Sequence, residues 1–274
     1  VTYYAISYSF NPDYQNAIKN IECKDMLAVD KLYSTYNNVA LVTEDLIEPT
    51  STFVKTTDHF KITHNVISYN EIIERGNLEM MFDEGSTQCN VEFEKLKEIL
   101  ESDAKVVVTV GRYSPEKGHE RMLDAFNKVW QENNNTYFMI IGGYQNYGLY
   151  DKLRERIKAL PCGNNVILIM SMTNPLPVVK ACDGFLLGSF YEGFGLVIAE
   201  ADILGLPVVS TDITGPRLFM KKNNGTLVDN TDEGVENGFR LLFKGDFSVI
   251  KPTPYQYTDI LSQKALSGNK NILK

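Results

Sequence analysis

Two short runs of this chain carry residue types that could do chemistry together. Glu192-Gly193-Phe194-Gly195-Leu196-Val197-Ile198-Ala199-Glu200 sets two carboxylates around a Gly-Phe-Gly turn and an apolar helical start. Gly111-Arg112-Tyr113-Ser114-Pro115-Glu116-Lys117-Gly118 sets an Arg and a Lys around a turn that follows an apolar stretch. Carboxylates accept hydrogen bonds from hydroxyls, whereas guanidinium and ammonium groups hold negative charge. A ligand bearing both kinds of group, as a nucleotide-sugar does, would use both runs.

Each run also has an ordinary reading. Arg112 and Lys117 could be surface charges pairing with Glu116 or Glu120, and Glu192 and Glu200 could be a helix-dipole residue and an exposed helix charge. Against that, Glu200 is flanked by Ile198, Ala199, Ala201 and Ile203, and an enclosed carboxylate is costly without hydrogen bonds. Gly193 and Gly195 let the backbone approach a ligand and offer it amide N–H groups. A helix opening in the Gly-Phe-Gly turn would carry Glu200 roughly 9 Å down its axis, so the two carboxylates would meet different parts of an elongated ligand. Gly142-Gly143-Tyr144 reads first as a left-handed turn, with ligand contact through Gly143 as the alternative. Ser171-Met172-Thr173 would flank a bound base. His119 reads as a surface residue, His64 as a linker residue with a packing role, and Trp130 as core.

The elements that must position these residues are legible from residue 105 onward. Near-continuous apolar runs at Lys105–Gly111, Thr136–Gly142, Asn165–Met170, Asp183–Gly188 and Pro207–Thr211 are the pattern of strands buried on both faces of a parallel sheet. Helical patterns lie between and after them, at His119–Trp130, Leu149–Leu160, Leu176–Cys182, Gly195–Leu204 and Thr231–Phe243. Such alternation means βαβ units and an α/β, doubly wound parallel sheet. Ligands of such sheets bind beyond the carboxyl ends of the strands, where Gly111-Arg112 falls, and Lys117 precedes a helix whose N-terminus favours anions.

The first hundred residues are less regular. Strand-like runs fall at Tyr3–Ser9 and Asn38–Val42, with a helix cap at Thr43–Leu46. Phe60–Ile67 reads as a strand or linker, Glu71–Phe82 as a short helix, Asp83–Asn90 as a loop and Glu92–Glu101 as an amphipathic helix. The expected organisation is residues 1–66 as a partial N-terminal α/β segment plus linker, and 67–274 as a Rossmann-like domain. A weak helical pattern marks Tyr257–Leu266.

Composition narrows the field. The chain has 274 residues, enough for a sizeable core, and a net charge of −8, which disfavours non-specific nucleic-acid binding. Cys23, Cys89, Cys162 and Cys182 show no C-x-x-C spacing, and the three histidines are dispersed. A disulfide framework and a metal site are therefore not expected, and a reducing, cytoplasmic compartment fits. No apolar stretch approaches the roughly 20 residues of a membrane span, and no signal-peptide pattern opens the chain.

Together these motifs resemble the retaining GT-B glycosyltransferases of family GT4. The family's G-R-x-x-x-E-K-G segment matches Gly111-Arg112 through Glu116-Lys117-Gly118, and its E-x7-E signature matches Glu192 and Glu200. Leu204–Val209 is similar to the segment after that helix, Asn224–Val228 to a later turn, and Phe60–Ile67 to an interdomain stretch, with His64 where Pro is common. The resemblance implies a catalytic set of Arg112, Lys117 and Glu192. Arg112 and Lys117 would hold the donor diphosphate and Glu192 the donor sugar. It implies donor contacts from Gly111, Gly143, Ser171, Met172, Gly193, Phe194, Gly195, Leu196 and Glu200, with Glu200 on the ribose. The implied donor is a UDP- or GDP-linked sugar, with no metal and no other cofactor. The implied acceptor is the hydroxyl of a glycan, lipid or polymer, in bacterial envelope or surface glycan synthesis. An N-terminal acceptor-side domain would be only partly present, so the chain would bind donor yet be inactive alone. Peripheral contact with the inner face of a membrane would run through that domain. A sugar-nucleotide epimerase or phosphorylase, or a non-catalytic nucleotide-sugar sensor or partner subunit, remain as alternatives.

Overall fold

The computed structural model describes residues 5–6, 33–34, 36, 38–41, 47–51, 54–62, 67–83, 87–143, 147–223 and 225–245. These fall into two compact units. One takes in the described residues up to Ser68 together with Tyr191–Gly195, the other those of Tyr69–Phe190 and Leu196–Pro252.

In the first unit, β1 (Ala5–Ile6), β2 (Val39–Leu41) and β3 (Phe60–Ile62) form a parallel sheet in that order, with helix α1 (Ile47–Ser51) between the last two. Val39 and Leu41 are buried and pack with Tyr33, Tyr36, Phe60 and Ile62. The helix cap expected at 43–46, His64 and most of the Tyr3–Ser9 run lie outside the described residues.

The second unit begins with α2 (Tyr69–Gly76) and α3 (Phe93–Glu101) and then alternates strictly. Its strands are β4 (Lys105–Val110), β5 (Thr136–Ile141), β6 (Val166–Ile169), β7 (Gly184–Leu187), β8 (Val208–Thr211) and β9 (Thr226–Val228). Between and after them run α4 (His119–Trp130), α5 (Tyr147–Ala159), α6 (Leu176–Lys180), α7 (Leu196–Ile203), α8 (Thr214–Asn223) and α9 (Asp232–Lys244). All six strands are parallel, in the order β6-β5-β4-β7-β8-β9. The winding reverses between β4 and β7, which makes that gap the topological switch point.

Successive strand residues face opposite sides. Val107, Phe138, Ile140, Val166, Leu168, Leu186 and Val209 pack with Met122 and Phe126 of α4, Leu153 of α5 and Phe239 of α9. Phe138 and Phe239 meet edge to face with ring centroids 4.9 Å apart. Trp130 joins this core only partly buried. Helices α2, α6 and α7 pack on one another, and α7 also on β7 and β8.

Several local expectations change. The helix expected over 71–82 stops at Gly76, where a poor helix former is followed by Asn77, whose N–H closes on Ile73 O at 3.1 Å. The expected loop at 83–90 is in part a strap: Cys89 pairs antiparallel with Ile169, and Gln88 O accepts from Met170 N at 2.8 Å. That strap satisfies the outer edge of β6. The turn read at 224–228 contains β9, because Ser210 pairs with Leu227 at the open edge of β8. Helix α8 carries Gly215 and Pro216 in its first turn and had no clear apolar period. Cys89, Cys162 and Cys182 are free thiols; Cys23 and the helical pattern at 257–266 lie outside the described residues.

Candidate functional site

Strand β4 leads directly into the cationic turn. The Gly111 N–H still bonds Ile141 O at 3.0 Å, so the sheet holds the chain until Arg112. Tyr113 then turns inward. Its ring is buried and its hydroxyl donates to Ile169 O at 2.5 Å, across the end of β6. Gly142 makes room for that ring, since a Cβ there would lie 1.8 Å from Tyr113 Cε2. Gly142 and Gly143 do not take positive φ, which corrects the left-handed-turn reading: glycine is needed at 142 for close approach. Gly143 has open space where a Cβ would stand.

Beyond Tyr113 a single 3-10 turn over Pro115–Lys117 folds the loop back, closed by Gly118 at φ 66°. Lys117 thereby returns to the strand end. A Cβ on Gly111 would lie 3.4 Å from Lys117 Cδ, so the lysine stem runs over Gly111, next to Arg112. Arg112 also forms a half-exposed pair with Glu116, Nη2 to Oε1 3.6 Å, of the kind worth little in water. Glu120 instead meets Lys152 at 2.8 Å and Arg156 at 3.3 Å.

His119 is not a surface residue. It is 2 % exposed, and its Nε2 lies 2.9 Å from Arg112 O. A carbonyl only accepts, so Nε2 carries the proton and the buried Nδ1, without a partner, is the lone-pair nitrogen. Burial pulls its pKa down to about 4, with Lys117 adding to the fall and the Arg112 bond and Glu116 opposing it. The sequence pattern missed this because the His faces back along the helix onto its own preceding loop.

Arg121 was missed as well. It is buried, with Nε 2.7 Å from Gly188 O and Nη2 2.7 Å from Ser189 O and 2.8 Å from Asn230 Oδ1. Burial lowers it to about 10, so it stays charged at neutral pH. Nothing in the helical periodicity marked it, because its acceptors lie on distant loops. These bonds fix the loop after β7 beside the loop after β4, on the two sides of the switch point. Phe190 N donates to Glu116 O at 2.8 Å across the same gap.

The loop after β6 carries Ser171 and Met172, both half-buried. It is held from α2 and the segment beyond. Thr173 N donates to Asp83 Oδ2 at 2.6 Å, and Asn174 Nδ2 to Arg75 O at 2.9 Å. Glu200 lies on α7, which starts at Leu196, so the glutamate stands about 6 Å along the axis and not 9 Å. It is half-buried. Burial raises its carboxyl above the ordinary range, and the charge of Arg75 pulls it back.

Thus Gly111, Arg112, Lys117, Gly143, Ser171 and Met172 all stand at the carboxyl edge of one sheet, with Glu200 and the half-exposed Leu196 on a helix of the same unit. Glu192, Gly193, Phe194 and Gly195 belong to the other unit. There Gly193 is buried, Glu192 and Phe194 are half-buried, and Gly195 has φ 77°, a left-handed conformation that favours glycine. Among the described residues no group of three or more His, Cys, Asp and Glu could hold a metal ion, and no helix is long and apolar enough to cross a membrane.

A doubly wound parallel sheet with the Arg112–Lys117 loop at the end of a switch-point strand is an α/β architecture whose ligands, as a class, bind beyond the carboxyl ends of the strands. The chain belongs to the glycosyl transferases group 1 family, whose profile matches residues 90–248, more than half of the chain. It is 34% identical over 129 residues to the uncharacterized glycosyltransferase MJ1059 of Methanocaldococcus jannaschii, covering 47% of this chain and 31% of the relative. It is 28% identical over 195 residues to the capsular polysaccharide biosynthesis glycosyltransferase CapM of Staphylococcus aureus, covering 70% and 47%. The chain spans less than half the length of these curated relatives. Among solved structures, Anabaena Alr3699/HepE in complex with UDP and glucose superposes with a TM-score of 0.73 at 19% identity, covering 99% of this chain and 70% of that one. A variant of S. aureus TarM in complex with Fondaparinux, alpha-GlcNAc-glycerol and UDP superposes with a TM-score of 0.75 at 19% identity, covering 99% and 50%. At these identities the likeness shows the fold, a glycosyltransferase α/β sheet.

Proposed function

We propose that this chain binds a nucleoside-diphosphate sugar for a glycosyltransferase that moves the sugar onto an acceptor hydroxyl with retention of configuration. The observation that carries the reading is the return of Lys117 over Gly111, which puts two cations from one loop at the end of the switch-point strand. In the reaction the bond from the sugar's anomeric carbon to the diphosphate oxygen breaks, and a bond to the acceptor oxygen forms on the same face. The acceptor's proton leaves with the diphosphate. Arg112 and Lys117 stabilise the charge that develops on the departing diphosphate, the kind of contribution that is usually the largest single one in catalysis. Their two charges take the place of a metal ion, and no further cofactor is needed.

Glu200 accepts hydrogen bonds from the ribose hydroxyls, Ser171 and Met172 cover the base, and Gly143 leaves space at the end of β5. Glu192 is assigned to the donor sugar on its E-x7-E spacing from Glu200 in the sequence, with the Phe194 and Gly195 amides beside it. The UDP bound to HepE and to the TarM variant favours a uridine donor. CapM and the lipopolysaccharide core biosynthesis glycosyltransferase LpsE of Rhizobium meliloti, 30% identical over 132 residues, favour an acceptor in surface-glycan synthesis.

Calorimetry with UDP, GDP and their glucose, galactose and mannose conjugates tests this. One nucleotide series should bind the wild type. Glu200→Ala should weaken it by about tenfold to a hundredfold, the worth of hydrogen bonds to a charged group. Absence of binding by every nucleotide would remove the donor site. Binding without transfer to any acceptor by a chain that includes the acceptor-side domain would favour a sensor.

A further inference from the structure

Arg121 sits one helical step from the diphosphate turn, yet its side chain is spent on the other wall of the crevice. Besides its bonds to Gly188 O, Ser189 O and Asn230 Oδ1, its guanidinium lies 3.8 Å over the Phe190 ring. Asn230 Nδ2 in turn donates to Phe190 O at 3.1 Å. Three successive carbonyls, those of Gly188, Ser189 and Phe190, therefore end on donors from Arg121 or its partner. Thr211 Oγ1 adds a second bond to Ser189 O at 2.7 Å. The facing wall is tied to the same stretch. Phe190 N bonds Glu116 O, and Gly118 packs so closely on Gly188 O that a Cβ would stand 2.3 Å from it.

We propose that Arg121 is a positioning residue for the donor diphosphate. By clamping Gly188–Phe190 against the turn that carries Lys117, it sets the width of the crevice in which Arg112 and Lys117 meet the anion. This rests on the donor-binding function proposed above. Arginine suits the task because its planar fork reaches three acceptors in fixed directions and stacks on an aromatic face, which the point charge of lysine does not do. Its effect is local to the crevice. The nucleoside end of the donor, at Glu200 and the loop after β6, stands on elements that Arg121 does not touch.

The test is calorimetry of UDP, UMP, GDP and GMP with the whole chain, as wild type, Arg121→Met, Arg121→Lys and Asn230→Ala. Arg121→Met should weaken the bound diphosphate by about tenfold or more, as small misplacements of a charge clamp do, and leave the monophosphate within about twofold. Arg121→Lys should fall between the two. Asn230→Ala alters an exposed side chain, so it decides the matter even if Arg121→Met does not fold. It should shift the diphosphate alone, by about threefold, as partial loosening of the clamp requires. Equal losses for mono- and diphosphate, or no loss in any folded variant, would overturn the positioning role and leave donor binding standing. A wild type that binds none of the four nucleotides would overturn donor binding, and this role with it.

Discussion

Acidification should test how His119 is held. In the folded chain its Nε2–H bonds Arg112 O at 2.9 Å while Nδ1 is buried without a partner, so a second proton would enter a dry site with no acceptor. The folded pKa is about 4 against an ordinary 6.5. Below pH 6.5 the unfolded chain takes up a proton that the folded one refuses. Stability is thus fully present above pH 6.5, is lost as the pH falls toward 4, and levels off below it. At 1.36 kcal/mol per pH unit the loss across that window is about 3 kcal/mol. Urea unfolding followed by the fluorescence of Trp130 reads it directly, because this single tryptophan ends the helix that His119 begins. Between pH 7 and pH 4 the wild type should lose about 3 kcal/mol more than His119→Gln, which has nothing to titrate. Glu200 runs the other way: its raised folded pKa makes stability fall as the pH rises through it. That contribution is common to both chains and cancels in the difference. Parallel pH profiles for the two proteins would refute the account of a neutral, strapped imidazole.

Two further substitutions separate packing from surface charge. Gly142→Ala drives a methyl into the Tyr113 ring and should destabilise the chain by about 1–3 kcal/mol or more in thermal unfolding; an unchanged midpoint would mean the ring is free to move aside. Arg240→Ala removes an exposed fork on Glu132, Nη2 to Oε1 2.8 Å, and should shift the urea-unfolding midpoint only slightly, and less still in salt; a large shift that salt does not reduce would contradict the screened-pair argument.

The regular half of the chain is legible because its strands are apolar on both faces and alternate with helical patterns, as in a parallel sheet covered on two sides. Val106–Val108, Met139–Ile141 and Ile167–Ile169 were read as strands and are strands. Elements without such a period escaped. Helix α8 opens Thr-Gly-Pro, and β9 has only three half-buried residues that depend on β8 for their bonds. Gly76 and Asn77 cut α2 short, and the strap at 87–90 is polar because it pairs through its backbone and Asn90 rather than through apolar side chains.

The amino-acid order by itself determined the alternating architecture, the two cations five residues apart and the two glutamates eight apart. These rest on local chemistry and periodicity, which need no partner to be seen. Only the tertiary structure decided what lies at the turn's back. Folding the 3-10 turn over Gly111 brings Lys117 home, and that return buries His119 against Arg112 O. It also sets Arg121 against carbonyls some sixty-seven positions away. A histidine or arginine in an amphipathic helix carries no mark of the carbonyl it will meet. Those carbonyls are brought to it by the crossover between β4 and β7, and so the supports of the cationic loop became visible only in three dimensions.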